Sequence, residues 1–160
     1  MDRKIDVKIN GVQSRAEIDD RDLLVQVIRE KFGLTGTHVA CLTGQCGACT
    51  VLMNGLPLKS CLLFAAQADG ADILTVEGLA ADGKLHPLQR AFAENHALQC
   101  GFCTPGMLLS ILYLLKTNPN PTDVAIREAI AGNLCRCTGY VNIVEAAKKA
   151  ATTLSAEGRV

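Results

Sequence analysis

The sequence predicts an α+β fold in two parts, a strand-rich half over residues 1–78 and a helical half over residues 79–160. Two Asn-Gly dipeptides in the first half each sit between strand-like runs. From Leu79 onward the apolar residues recur at helical spacing instead. The eight cysteines of the chain fall into two groups of four, one in each half.

Residues 3–18 hold two strand-like runs around Asn10-Gly11, the dipeptide that most favours a two-residue hairpin turn because both positions tolerate φ > 0. Asp19 or Asp20 can cap a following helix, whose apolar positions Leu23, Leu24, Val27, Ile28 and Phe32 repeat at helical spacing up to Gly33. Thr50 to Met53, a turn at Asn54-Gly55 and the return strand make a second hairpin, and Asp72 to Val76 supplies one more strand. Pattern changes within Glu77 to Gly83, which is where the halves should meet.

Four helices are expected in the second half. His86 to His96 is amphipathic, with Leu88, Ala91 and Phe92 inward and Pro87 tolerated in the first turn. Thr104 caps an apolar helix running through Leu115, with Pro105 at its first position and Leu108, Leu109, Ile111, Leu112 and Leu115 as its core stripe. After the rigid Asn118-Pro119-Asn120-Pro121 connector, Thr122 opens a helix with Val124, Ile126, Ala129 and Ile130 as apolar members, ended by Gly132. Thr138 caps the last helix, from Tyr140 to about Leu154, and Ser155 to Val160 should fray. Short connections between these helices predict a four-helix bundle.

The first cysteine group, Cys41, Cys46, Cys49 and Cys61, has the spacing C-x4-C-x2-C-x11-C. The x4 then x2 pattern is that of plant-type [2Fe–2S] ferredoxins, and small residues around it let backbone wrap closely about an inorganic core. Strands and one helix arranged around such a loop suggest, by analogy of fold, the β-grasp arrangement of those ferredoxins. The second group is Cys100 and Cys103, a 31-residue gap, then Cys135 and Cys137. Each of its two segments supplies two thiolates just before a helix start, where unpaired N–H groups and the positive dipole end stabilise an anionic assembly. Two sites, one per domain, are the expectation.

Three other readings compete. Disulfides would use an even cysteine count, but the chain shows no secretory signal and spaces its cysteines like metal ligands. Zinc takes four thiolates in closed structural sites, though usually from two short knuckles, which C-x4-C-x2-C does not resemble. Single buried thiols can be inert. A zinc-stabilised interaction module and a stand-alone ferredoxin or redox sensor therefore stay open as alternatives to an electron-transfer subunit.

Composition narrows the partners. A chain of 160 residues can bury roughly 68–70% of its unfolded surface. Sixteen basic and sixteen acidic residues cancel, with no Trp, two Tyr and four Phe, so neither a phosphate-binding stripe nor a base-stacking platform is expected. The longest apolar stretch, Met107 to Leu115, is far shorter than the ~20 residues a bilayer needs. Free thiols in this number suit a reducing compartment, which places the chain in the cytoplasm.

With Gly44-Gln45-Cys46-Gly47-Ala48-Cys49-Thr50-Val51, Gln99-Cys100-Gly101-Phe102-Cys103-Thr104-Pro105-Gly106 and Gly132-Asn133-Leu134-Cys135-Arg136-Cys137-Thr138-Gly139-Tyr140 in view, the chain resembles the small iron–sulfur subunit of the molybdenum hydroxylases, the xanthine dehydrogenase and aldehyde oxidase family. The likeness runs from about Ile5 to Ala151 and is greatest to the small chains of carbon monoxide dehydrogenase and N-heterocycle hydroxylases. It implies two [2Fe–2S] clusters, one held by Cys41, Cys46, Cys49 and Cys61 nearer a flavin, the other by Cys100, Cys103, Cys135 and Cys137 nearer a molybdopterin. It also implies that Gln99 and Cys137 lie against the pterin, and that an amide there can donate and accept without adding charge. The implied partners are a large molybdopterin subunit and a medium FAD subunit, assembled as a heterotrimer or a dimer of heterotrimers, with the substrate site on another chain.

Relatives commonly carry glycine before the first ligand where this chain has Ala40, which is disfavoured if that position needs φ > 0. His38, His86 and His96 are expected to be ordinary surface histidines, since eight cysteines already complete two sites. Arg136, between two ligand cysteines, could raise a cluster's potential or pair with a partner's carboxylate.

Overall fold

A computed structural model describes residues 2–158. Strand β1 (Asp2–Ile9) and strand β2 (Val12–Asp19) form an antiparallel hairpin, and the turn between them has φ +51° at Asn10 and +83° at Gly11. Strands β3 (Thr50–Met53) and β4 (Leu56–Lys59) form a second, with +52° at Asn54 and +81° at Gly55. Both turns therefore have the left-handed pair that Asn-Gly accepts at little cost. Strand β5 (Asp72–Leu74) runs parallel to β1 and antiparallel to β3, giving one five-stranded sheet in the order β2-β1-β5-β3-β4.

Side chains alternate along each strand, as the two-residue period requires. Ile5, Val7 and Ile9 of β1 and Ala16 and Ile18 of β2 point inward, between exposed Lys4, Asp6 and Lys8 on one strand and Arg15 and Glu17 on the other. They pack with Leu24, Val27 and Ile28 of the helical segment that crosses the sheet. That segment is a short α1 (Leu24–Gln26) that widens directly into a π-helical turn (Val27–Lys31) before Gly33 at φ +69°. Its N-cap is Leu23, whose backbone N–H is taken by the Gln26 side chain, and neither Asp19 nor Asp20 caps it.

Strand β3 is where the halves join. Val51 faces the core beneath α1, whereas Leu52, one residue on, belongs to the core of the helical half. That core is built by α2 (Pro87–Glu94), α3 (Thr104–Thr117), α4 (Asp123–Ala129) and α5 (Val141–Ala156). Helix α3 is buried on every side from Pro105 to Leu112, because it lies between the other helices and strands β3 and β4. The anticipated stripe Leu108, Leu109, Ile111, Leu112 and Leu115 lies wholly in the core, and full burial of each such side chain contributes roughly 1.5–3 kcal/mol.

Several helix ends differ from the sequence expectation. His86 caps α2, its Nδ1 accepting from Leu88 N–H at 3.2 Å. Thr104 is the first residue inside α3, not its cap; Cys103 holds that position, and the Thr104 hydroxyl has no hydrogen-bond partner among the described residues. Thr122 does cap α4, accepting from Ala125 N–H at 3.2 Å, but the helix stops at Ala129, before Gly132, and Val124 is 63% exposed. Tyr140 rather than Thr138 is the N-cap of α5, at a left-handed φ of +69°. Ser155 and Ala156 continue α5 instead of fraying; Arg159 and Val160 lie outside the described residues.

Candidate metal centres

The first cysteine group is assembled by a loop and a hairpin. Cys49 immediately precedes β3 and Cys61 follows β4, so the antiparallel register brings them together at the base of the hairpin. Ser60 fastens this base, its N–H and hydroxyl both donating to the Cys49 carbonyl, at 3.3 and 2.7 Å. Both thiols are buried, at 2% and 3% exposure. Cys41 and Cys46 lie on the irregular loop before β3 and are half-buried. The backbone N–H groups of Thr43 and Cys46 each donate to Cys41 Sγ at 3.4 Å. Left-handed residues at Leu42 (φ +55°), Gly44 (+78°) and Gly47 (+73°) turn the loop so that amides point inward, a concavity suited to negative charge. Ala40 is not among the positive-φ residues; the strain falls two positions on, at Leu42.

The second group lies where helices begin. Cys100 ends the connection from α2, Cys103 caps α3, and Cys135 and Cys137 stand on the loop between α4 and α5. Cys100 Sγ and Cys137 Sγ are 3.5 Å apart. Two thiolates on one tetrahedral metal, at metal–sulfur distances of about 2.3 Å, would stand roughly 3.7 Å apart. The spacing thus fits a shared iron, and it is far from a bond of about 2.05 Å. All eight cysteines are free.

Local bonds shape the Cys135 to Tyr140 turn. Thr138 offers Cys135 Sγ its hydroxyl at 3.3 Å and its N–H at 3.5 Å. Cys135 N–H donates to Tyr140 Oη at 2.8 Å, and that hydroxyl donates on to the Asn133 carbonyl at 3.4 Å. Gln99 Nε2 donates to the Cys137 carbonyl at 3.1 Å, so the two residues that the resemblance sets against a pterin are in direct contact. Gln99, Cys100 and Cys137 are all exposed.

Thiol acidities diverge within each site. The Thr43 and Cys46 hydrogen bonds pull Cys41 down to about 5. Burial, with the neighbouring Cys49, pushes Cys61 up to about 11, and burial beside Cys135 pushes Cys103 up to about 12. Burial also acts upward on Cys135, but the Thr138 contacts outweigh it and bring the thiol to about 7. Cys137 is raised, chiefly by its hydrogen bond to Cys100. A bound metal replaces the proton and supplies the positive charge that a buried thiolate otherwise lacks.

Among the described residues the Cys, His, Asp and Glu side chains form no group of three around a single point. Six of the thiols stand instead in pairs, Cys100 with Cys137, Cys103 with Cys135 and Cys49 with Cys61, while Cys41 meets the backbone N–H of Cys46. Donors in pairs suit a two-iron core, and the four-thiolate set fits [2Fe–2S] chemistry.

The two loops interlock through residues that local sequence patterns did not reveal. Leu134 N–H donates to the Cys46 carbonyl at 2.8 Å. Asn133, 2% exposed, donates to the Gly47 carbonyl at 3.0 Å and to Thr50 Oγ1 at 3.4 Å, and accepts from Ser110 at 2.8 Å. A Cβ on Gly106 would collide with the Gly47 carbonyl, and one on Gly47 with the Gly132 carbonyl, so both positions exclude larger residues. His38 is no ordinary surface histidine: its ring stacks on Phe102 at 4.7 Å and its Nδ1 meets the Phe102 carbonyl at 2.8 Å. A histidine three positions before the first ligand and an asparagine two before Cys135 were the available signals.

This geometry defines an iron–sulfur protein with two thiolate sites joined back to back. Residues 7–74 match the family described as 2Fe-2S iron-sulfur cluster binding domain, and residues 75–148 match the [2Fe-2S] binding domain family. The chain is 50% identical over 152 residues to caffeine dehydrogenase subunit gamma of Pseudomonas sp. (strain CBB1), covering 93% of this chain and 91% of that one. It is 53% identical over 143 residues to the nicotine 6-hydroxylase small subunit of Paenarthrobacter nicotinovorans, covering 89% and 86%. Quinoline 2-oxidoreductase from Pseudomonas putida 86 contains a chain that superposes with a TM-score of 0.96 at 45% identity, over 99% of both. The chain belongs to the small iron–sulfur subunits of the molybdenum hydroxylases, which are oxidoreductases.

Proposed function

We propose that this chain is the electron-transfer subunit of a three-component molybdenum hydroxylase, carrying electrons from a molybdopterin site on a large partner to FAD on a medium partner. In this reading residues 1–78 form a β-grasp ferredoxin domain and residues 79–160 a four-helix bundle, which the meeting of the two family matches at residues 74 and 75 supports. Cys41, Cys46, Cys49 and Cys61 hold one [2Fe–2S] cluster, and Cys100, Cys103, Cys135 and Cys137 the other. Each cluster supplies storage for one electron at a time.

The observation that carries the proposal is the hydrogen bond from Leu134 N–H to the Cys46 carbonyl. It joins a residue of one ligand set to the immediate neighbour of a residue in the other, so the two sites are connected by one peptide contact. At the outer end, Gln99 and Cys137 present an exposed amide and an exposed thiolate together, which suits recognition of the polar edge of a pterin. The partners form a heterotrimer or a dimer of heterotrimers in the cytoplasm. No helix among the described residues is long and apolar enough to cross a membrane. The relatives named above take their names from caffeine, nicotine and quinoline, so a nitrogen heterocycle is the substrate class proposed for the large partner.

Purification of the native protein with metal, sulfide and flavin analysis tests this. Iron and acid-labile sulfide in equal amounts, together with molybdenum and FAD on co-purifying chains, is the expected result. Zinc without sulfide would overturn the cluster assignment, and recovery as a lone chain with intact clusters would overturn the subunit assignment.

A further inference from the structure

Lys59 closes strand β4 directly opposite Thr50, two residues before Cys61. Its side chain is half-buried, and none of the ion pairs among the described residues involves it. Nζ donates instead to Thr50 Oγ1 at 2.8 Å. That hydroxyl is saturated, since it also donates to the Gly47 carbonyl at 2.7 Å and accepts from Asn133 at 3.4 Å. The ammonium is therefore fixed by a buried network anchored on the Cys46-Gly47-Ala48-Cys49 loop. It lies against Gly132, where an added Cβ would stand 3.7 Å from Nζ.

A cation withdrawn from water without a carboxylate needs another anion. Burial acts to lower the pKa of Lys59, and the negative charges that oppose this are those of Cys49, Cys46, Cys61 and Cys41. The fold assigns Lys59 the first thiolate set as its countercharge: Nζ is bonded to Thr50, which adjoins Cys49 and is tied to Gly47, and Cys61 follows Lys59 by two residues.

We infer that Lys59 is the built-in cation of the first iron–sulfur site, and that its charge selectively favours the reduced form of the cluster held by Cys41, Cys46, Cys49 and Cys61. The reduced form has one more negative charge in the same thiolate cage, so a fixed cation stabilises it more than the oxidised form. A half-buried charge is screened by salt less than a surface one, so the bias persists at high ionic strength. Lys59 reacts with nothing; it is a positioning and tuning residue. In the electron path proposed above it draws electrons toward the site nearer the flavin.

The inference rests on the ligand assignment of the proposed function, and an EPR-monitored redox titration of the purified complex separates the two. Two distinct cluster signals in the unsubstituted complex, one of them abolished by Cys135→Ser, establish which signal belongs to which site; their absence refutes the ligand assignment and not Lys59. With the signals assigned, Lys59→Met should shift the one-electron equilibrium of the first site about tenfold toward the oxidised form. That is a midpoint about 59 mV lower. The second site should keep its midpoint. Lys59→Gln, which retains a donor for Thr50 without the charge, should behave like Lys59→Met, whereas Lys59→Arg should restore the original midpoint. Lys84→Met removes an exposed cation and should move neither. An unchanged first site, equal shifts at both sites, or a Lys59→Arg variant shifted as far as Lys59→Met would overturn the inference. Should both neutral variants fail to retain the first cluster, retention in Lys59→Arg upholds the need for charge and its loss there refutes it.

Discussion

Each site contains a Cys-Gly-x-Cys segment, and the two segments have opposite surroundings. In Cys46-Gly47-Ala48-Cys49 every residue after Cys46 is buried, and Gly47 is pressed against Gly132 and Asn133 of the other loop. In Cys100-Gly101-Phe102-Cys103 the glycine has a similar left-handed φ, +79° against +73°, but open space where its side chain would be. Phe102 is 45% exposed, and Cys100 is exposed with it. One motif has therefore been used twice for different ends. The first copy is an internal joint that holds the two sites together, and the second is an outward rim that leaves thiolates and an aromatic ring available to a partner.

The sharpest way to break this comparison is to remove a ligand from one side only. Cys135→Ser should abolish one of two EPR-distinct signals and leave the other, since the first four cysteines come from a separate loop and hairpin. Loss of neither would refute the ligand set. A smaller effect distinguishes joint from rim. Gly47→Ala adds left-handed strain to a collision with backbone, so it should cost about 3 kcal/mol, whereas Gly101→Ala adds strain alone and should cost about 1 kcal/mol. In thermal unfolding followed by circular dichroism these correspond to falls of roughly 9 °C and 3 °C for a chain of this size. Equal falls would mean that Gly47 is not the joint the structure makes it.

What the sequence revealed is what local chemistry determines. The two Asn-Gly turns and the apolar stripe of α3 act within a few residues, and each stands in the structure where the sequence placed it. The caps assigned to Thr104 and Thr138 went elsewhere because thiols needed those helix starts: Cys103 takes one cap, and Thr138 turns toward Cys135 Sγ. Asn133 and His38 were opaque for another reason. Their partners Gly47 and Phe102 lie 86 and 64 positions away, and no local pattern encodes contacts of that range. No local pattern singles out Lys59 either; it is the fold that bonds it to Thr50 beside Cys49.

Tyr140→Phe probes the outward site with the smallest expected change. The hydroxyl accepts the Cys135 N–H at 2.8 Å and closes the turn by donating to Asn133, so its removal leaves one half-buried amide without its partner. A lost neutral hydrogen bond of this kind costs about 1 kcal/mol, roughly 3 °C in thermal unfolding. The ring remains to fill its place, and the left-handed backbone at φ +69° is unchanged, so α5 should still begin at Val141. What should move is the geometry of the Cys135 thiolate, visible as an altered line shape in the signal that Cys135→Ser abolishes. The other signal should not respond: the Asn133 carbonyl shares its peptide group with the Leu134 N–H that holds Cys46, but at 3.4 Å the hydroxyl holds that carbonyl only weakly, and the 2.8 Å bond to Cys46 keeps the peptide in place. A change in both signals would show that the turn and the joint are one mechanical unit, and that the division between inner and outer site is weaker than the two glycines suggest.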